Sequence, residues 1–226
     1  MDVLQLRENR STWETIADSF NSTRGRPWRP VLEFLETVPT GARLLDAGCG
    51  NGRHARAAQA KGLEVVGVDF SRKLLRHARR EVGGAALVEA AVERIPFRDA
   101  SFDAGIASAV LHHVRGREER IAVVRDLVRV LKPGGRLLLS VWSRDQPRFG
   151  PGKEPRPPTD GGAVEEGDAW VRWTQHGHDE PRFIHLFMWN EWRRELDYAH
   201  GRIERVWPEA IAAGAEPDNF FAILRK

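Results

Sequence analysis

Leu44-Leu45-Asp46-Ala47-Gly48-Cys49-Gly50-Asn51-Gly52 is the stretch from which the fold is read. Two leucines open a short apolar strand, an acid stands near its end, and glycines follow before a helical pattern over Arg53–Lys61. Glycine has no Cβ, so a strand–glycine turn–helix lets the backbone approach a ligand closely. Downstream the alternation repeats. Glu64–Val68 reads as a second strand closed by Asp69, Ser71 caps a helix to about Glu81, Ala86–Val88 is a third strand, and Phe102–Ala107 a fourth. Glu118–Leu131 carries Ile121, Val124, Leu127, Val128 and Leu131 at helical spacing. Lys132-Pro133-Gly134-Gly135 stops that helix, and Leu137–Val141 is a fifth strand. Strands alternating with helices predict an α/β chain with a doubly wound, mostly parallel sheet.

Outward from this core, residues 1–40 read as two short helices. Ser11 and Thr12 cap the first, and Asn21–Pro27 interrupts, with Pro27 in the first turn of the next. On the other side, residues 145–168 are rich in Pro, Gly and charge and predict a mobile loop. Trp170–Trp173 and Phe183–Met188 read as strands, Asn190 caps a helix to about Ala199, and Ile203–Trp207 and Phe220–Leu224 close the sheet. No repeat or domain break is visible. The expected organisation is one domain over 1–226: helices to 40, a ligand-binding core over 41–142, an insertion with its loop over 143–188, and closing elements over 189–226.

Composition excludes several classes. At 226 residues, 41% hydrophobic and 30% charged, the chain reads as globular. No apolar run reaches membrane-spanning length, the N-terminus lacks the apolar stretch of a signal peptide, and the single Cys49 forbids an internal disulfide. A cytoplasmic protein is expected. Net charge is only +3, too weak to argue for nucleic acid by itself. The basic residues are nearly all arginine, which suits anion recognition but also follows from a GC-rich genome.

Asp69, at the end of the second strand, is placed to accept both ribose hydroxyls of an adenosine. Asp46 beside the glycines would repel the pyrophosphate of a dinucleotide and welcome the amino group of a methionine moiety. That pair favours S-adenosylmethionine over NAD. The plainer reading, glycines serving a tight turn only, leaves both acids unexplained.

With Asp46–Gly52, Asp69, Ile95-Pro96-Phe97, Ser101-Phe102-Asp103 and Leu131-Lys132-Pro133-Gly134-Gly135 in view, the chain resembles the class I S-adenosylmethionine-dependent methyltransferases over roughly residues 40–142. The resemblance implies a Rossmann-like seven-stranded sheet with its last strand antiparallel. It implies cofactor contacts at Asp46, Gly48, Gly50, Asn51, Asp69, Phe70, Ala91, Val92 and Ser108. One position departs from the pattern: Ala91 stands where the family often has an acid for the adenine amino group, with Glu89, Glu93 or the Val92 backbone as substitutes. The flanks are similar to the tRNA wobble-uridine carboxymethyl methyltransferases from about residue 13 to the end. They are Ile16–Arg24 with Pro27-Trp28, Ser108–His113, Val141–Gln146, Phe183–Phe187 and Asp218–Phe221. That likeness implies methylation of the carboxylate of 5-carboxymethyluridine in tRNA to a methyl ester.

A carboxylate nucleophile is already ionised, so the site needs cations and donors to hold it rather than a strong base. Arg24, His112, His113 and Trp142 are the expected catalytic residues, and Arg26, Trp28, Arg182 and His185 the expected substrate contacts. Each has a plainer reading: a surface ion pair for Arg24, a strand end for the histidines, core for Trp28. Six of eight tryptophans lie at or after 142, consistent with a satellite core under the insertion. No metal is expected. His176-Gly177-His178-Asp179 lacks a further ligand, and Cys49 reads as a small loop residue. Two other functions compete, a metabolite methyltransferase of the same fold and a non-catalytic RNA-binding scaffold; the intact acid–glycine set speaks against the latter. Finally, the third strand falls at a sheet edge with neither Pro nor Lys to protect it. The resembling family covers this edge with a small zinc-ribbon activator protein, so such a partner is expected, with Arg94, Arg98 and the following loop as the alternative cover.

Overall fold

Apolar runs of four to six residues, bounded by glycine and acidic turns, put β1 (Arg43–Ala47), β2 (Glu64–Asp69), β3 (Ala86–Glu89), β4 (Phe102–Ser108) and β5 (Leu131–Trp142) side by side in the computed structural model. It describes residues 3–149, 164–212, 215 and 217–226. β6 (Asp168–Trp173) and β7 (Glu180–His185) form a separate two-stranded hairpin, and β8 (Arg202–Glu209) and β9 (Asn219–Arg225) complete the main sheet. Its order is β3-β2-β1-β4-β5-β9-β8. β1 to β5 run parallel, and β9 is antiparallel to β5, with Ser140 opposite Phe221. This is the doubly wound sheet with a reversed last strand that the sequence predicts. Reversal of order between β1 and β4 opens the crevice where α/β sheets bind ligands.

The helices are α1 (Val3–Thr23), α2 (Arg29–Glu36), α3 (Arg53–Ala60), α4 (Arg72–Glu81), α5 (Arg117–Arg129) and α6 (Trp189–Asp197). Both faces of the sheet are covered. One side buries Phe102, Leu127, Leu139 and Trp192, the other Phe34, Leu44, Ile106 and Phe221. Each large side chain so buried contributes roughly 1.5–3 kcal/mol. α4 shows the pattern most plainly: Leu74, Leu75 and Ala78 are buried, Leu74 against Trp13 and Ile16 of α1, Ser71 Oγ accepts from Leu74 N at 3.2 Å, and the arginines face outward.

Four local expectations need correction. Asn190 lies inside α6, whose cap is Met188. α1 is one helix of 21 residues. Ser11 and Thr12 lie inside it rather than capping it, and the chain beyond Thr12 is held against β7 by the Thr12–Pro181 bond at 3.5 Å. α2 starts with Pro30, not Pro27, in its first turn, because Trp28 takes an extended backbone at the cap. β5 begins at Leu131, since Lys132–Gly135 bulges within the strand: Phe102 opposes Leu131, and Ala104 already opposes Arg136. Of the expected mobile loop, residues 150–163 lie outside the described residues. Among the described residues no helix is long and apolar enough to cross a membrane.

Candidate functional site

The turn from β1 to α3 tolerates only glycine at its tight points. At Gly48 (φ +69°) a Cβ would stand 2.4 Å from the Val110 side chain, and at Gly52 (φ +83°) 3.1 Å from the Ala78 backbone. The turn therefore sits hard against α4 and the segment after β4, and presents its backbone between two acids. Asp46 is buried, and its Oδ2 has no hydrogen-bond partner. Burial pushes its pKa up to about 7, with Arg53 pulling down and Asp69 adding to the rise. Asp69 accepts from Gly50 N and Ser71 N, both at 2.9 Å. Burial raises it to about 6 despite those donors.

Asp69 opens on a cleft of about 1000 Å³, counted with its mouth, and Asp46 lies buried behind the glycine turn that lines it. The cleft is within the size range of small-molecule sites. Phe70, Val92 and Ser108 line it as expected, as do Gly48, Gly50 and Asn51. Asn51 is held by bonds from its Nδ2 to Asn21 Oδ1 and the Arg24 carbonyl, at 3.1 and 3.0 Å. Its own Oδ1 has no partner. Ala91 does not reach the cleft; its neighbours Ala90, Val92 and Glu93 do. Burial pushes the Glu93 carboxyl above its ordinary value. Glu89 is committed elsewhere, paired with Arg72 at 2.6 Å and with Arg10.

The opposite wall is cationic and aromatic. Arg182 is 5% exposed and forms no ion pair among the described residues. Its guanidinium lies 5.0–5.7 Å from the rings of Trp13, Trp142 and Trp173, and its Nε has no partner. Burial pushes its pKa down to about 9, and Arg148 and Arg24 add to the fall. Arg24, stacked over Trp173 at 5.3 Å, is lowered by burial. Arg148, at 4.8 Å over Trp142, is lowered by burial and by Arg24. Trp142 N donates to His112 Nδ1 at 3.3 Å, which leaves the His112 proton on Nε2. The Phe183 carbonyl accepts from His113 Nδ1 at 3.1 Å, which fixes the opposite tautomer. Burial, then the neighbouring cations, hold both imidazoles neutral, His113 down at about 3.

The structure thus gathers Arg24, Trp28, His112, His113, Trp142 and Arg182 around one cleft. It leaves two expected contacts outside. Arg26 is exposed and does not line the cleft. His185 is fully buried elsewhere: Asp168 bonds its Nδ1 at 2.7 Å and Glu191 its Nε2 at 3.0 Å. Both ring nitrogens are spent, so His185 anchors the hairpin instead of touching a ligand. Glu165, Asp168 and His185 have metal-ligand spacing, but the Arg120 guanidinium already meets Glu165 at 2.8 Å. In the His176 segment, His176 Nδ1 lies 3.2 Å from the Ser19 and Ser22 hydroxyls, and Asp179 pairs with Arg172.

Sequence reasoning missed Arg53, Arg148, Trp13 and Trp173. Arg53 was the findable one: it opens α3 directly after the glycines, and it lies 4.8 Å over Trp28, pushed down to about 10 by burial and Arg24. Trp13 and Trp173 join the cleft through long-range contacts that no local pattern announces, and Arg148 stacks on Trp142 at its wall.

A model of the methyltransferase domain matches residues 45–139. A putative methyltransferase of Encephalitozoon cuniculi is 34% identical over 208 residues, covering 92% of this chain and 90% of that one. The tRNA (carboxymethyluridine(34)-5-O)-methyltransferase of Arabidopsis thaliana is 40% identical over 138 residues, 59% of this chain and 32% of its own length. The chain spans between a fifth and a third of the length of such tRNA-methyltransferase relatives. Among solved structures, the complex between the Haloferax volcanii Trm112 methyltransferase activator and a putative methyltransferase superposes with a TM-score of 0.72, at 16% identity over 96% of each chain. At that identity the likeness is one of fold.

Proposed function

The chain belongs to the S-adenosylmethionine-dependent methyltransferases, and from that premise we propose that it methylates the carboxylate of a 5-carboxymethyl group on the wobble uridine of tRNA, giving a methyl ester. The observation that carries this reading is Arg182, a buried cation with no anion of its own. A desolvated guanidinium without a carboxylate is expensive, and the ligand that relieves it is an acid.

The residues fit the cofactor. The orphaned Asp46 Oδ2 suits its ammonium, Arg53 its carboxylate, and Asp69 keeps lone pairs for ribose hydroxyls beyond those given to Gly50 and Ser71. When bound, S-adenosylmethionine supplies an electrophilic methyl on a sulfonium. The protein's share is placement. Arg182 and Arg24 hold the substrate acid. His112 offers an Nε2 proton to the oxygen that does not react. Trp142 and Trp28 offer flat faces to a flipped base. Neutral imidazoles leave the carboxylate its charge, and the aromatic walls keep water from the line of attack. No side chain has to remove a proton.

The test is methyl transfer from labelled cofactor to bulk tRNA, followed by nucleoside analysis. The expected product is a uridine methyl ester that mild alkali hydrolyses. Label found only in small acids would instead favour a metabolite methyltransferase with the same cleft.

A partner reading follows from the sheet edge. β3 is an outer strand; Ala86 and Glu89 are exposed, and Leu87 and Val88 only half-buried. Among the described residues, the Arg10–Glu89–Arg72 pairs are the only ion pairs on this strand. A small zinc-ribbon activator adding a strand there would bury it. Co-expression should then raise solubility and cofactor affinity; a fully active monomer indifferent to the activator would dismiss the partner.

A further inference from the structure

The outward face of α4 is the strongest charged feature that the cleft does not use. Its sequence, Arg72-Lys73-Leu74-Leu75-Arg76-His77-Ala78-Arg79-Arg80-Glu81, holds one acid. Three of its polar groups are paired: Arg72 with Glu89, His77 with Asp18, and Glu81 with Arg56. Arg76, Arg79 and Arg80 are exposed and have no carboxylate partner among the described residues. Arg79 and Arg80 complement the helix C-terminus, which accounts for two of them but not for Arg76 in the middle. α5 is built otherwise: there Arg117 pairs with Glu118, and Arg129 with Asp126 and Asp99.

The face is continuous with the mouth of the cleft. Arg56 donates to the Gly25 carbonyl at 3.0 Å while pairing with Glu81, so the turn between α1 and α2 lies beside the end of α4. That turn carries Arg24 into the cleft and exposes Arg26 to solvent. Gly52, at the start of α3, is set against Ala78 of α4. Unpaired guanidiniums therefore run from Arg26 along α4, with Arg76 and Arg80 roughly 6 Å apart along the axis. Resting on the tRNA reading above, we propose that Arg26, Arg76, Arg79 and Arg80 form a track for the phosphate backbone of the RNA whose base enters the cleft. Phosphate contacts of this kind fix register without reading sequence, which is the task left over when specificity resides in one modified base.

The test compares wild type with a variant carrying Arg76→Gln, Arg79→Gln and Arg80→Gln, and with a control that removes two exposed arginines elsewhere, Arg193→Gln with Arg194→Gln on the exposed side of α6. KM for tRNA and its dependence on salt are measured together with kcat and cofactor affinity. The α4 variant should raise KM about tenfold and flatten the log–log salt slope by about two to three, with kcat and cofactor affinity unchanged. The control should behave as wild type. If wild type methylates tRNA and the α4 variant keeps its KM and slope, or the control loses as much, the track is wrong while the tRNA reading stands. If wild type neither binds nor methylates tRNA, the tRNA reading fails and the track with it.

Discussion

Arg120 and Arg182 are both buried, 1% and 5% exposed, and they are treated in opposite ways. Arg120 bonds both oxygens of Glu195, at 3.1 and 2.7 Å, and reaches Glu165 at 2.8 Å. Burial would push it down, but Glu195 and Glu165 together hold it above its ordinary value. Arg182 has tryptophan faces and neutral imidazoles around it and no carboxylate among the described residues, and burial takes it down to about 9. The first arrangement ties α5 to α6 and to the segment before β6. The second stores an unmet demand for an anion. On the proposed function, the paired charge serves the framework and the unpaired one serves the substrate.

The comparison breaks most visibly at Arg120. Arg120→Ala strands Glu195 without its partner, so stability should fall by about 3–5 kcal/mol, read as a lower melting temperature. Substrate affinity measured well below the melt should be unchanged. Loss of binding with no loss of stability would reverse the two roles.

Asp46 extends the contrast to the acid behind the glycine turn, since it too is buried with an unmet oxygen. Asp46→Asn should weaken S-adenosylmethionine by roughly 1.5–3 kcal/mol, the range for a hydrogen bond to a charged group, as seen by calorimetry. Melting temperature should hold or rise, because a desolvated charge is removed. A variant that binds like wild type but melts early would make Asp46 framework.

Smaller and graded is the effect of pH. Asp46 is raised to about 7, so below that value it takes up a proton and loses its attraction for the ammonium. Arg182 is lowered to about 9, so above that value it sheds a proton and loses the acid. kcat/KM should therefore be bell-shaped, falling up to about tenfold per pH unit on each limb. Arg182→Lys should displace the alkaline limb alone. A flat profile from pH 6 to 10 would mean that neither group meets its ligand.

Much of this was legible in the sequence, for physical reasons. The β1 turn, Asp69 and the order of the core strands rest on local signals: glycines where a Cβ cannot fit, and apolar runs of strand or helix length. The reach of α1 was not legible, because Ser11 and Thr12 mimic a cap and the helix is stabilised by packing on distant β7 and α4. His185 was misassigned although the needed signal was present. It stands three residues from Arg182 on one strand, so the two side chains point to opposite faces. Only Arg182 could face the cleft, and β7 pairs His185 across from Asp168. The tryptophan cage around Arg182 comes from α1, β5 and β6, and no pattern within one segment encodes it.

The central claim is that Arg182 waits for a carboxylate. It is tested most directly by titrating wild type and Arg182→Met with tRNA bearing 5-carboxymethyluridine at the wobble position, against the same tRNA bearing the uncharged amide. Wild type should prefer the acid by roughly ten- to a hundredfold, the worth of a charge-assisted hydrogen bond, and the variant should lose that preference without losing melting temperature. A variant that still prefers the acid, or a wild type that binds acid and amide alike, would contradict the account.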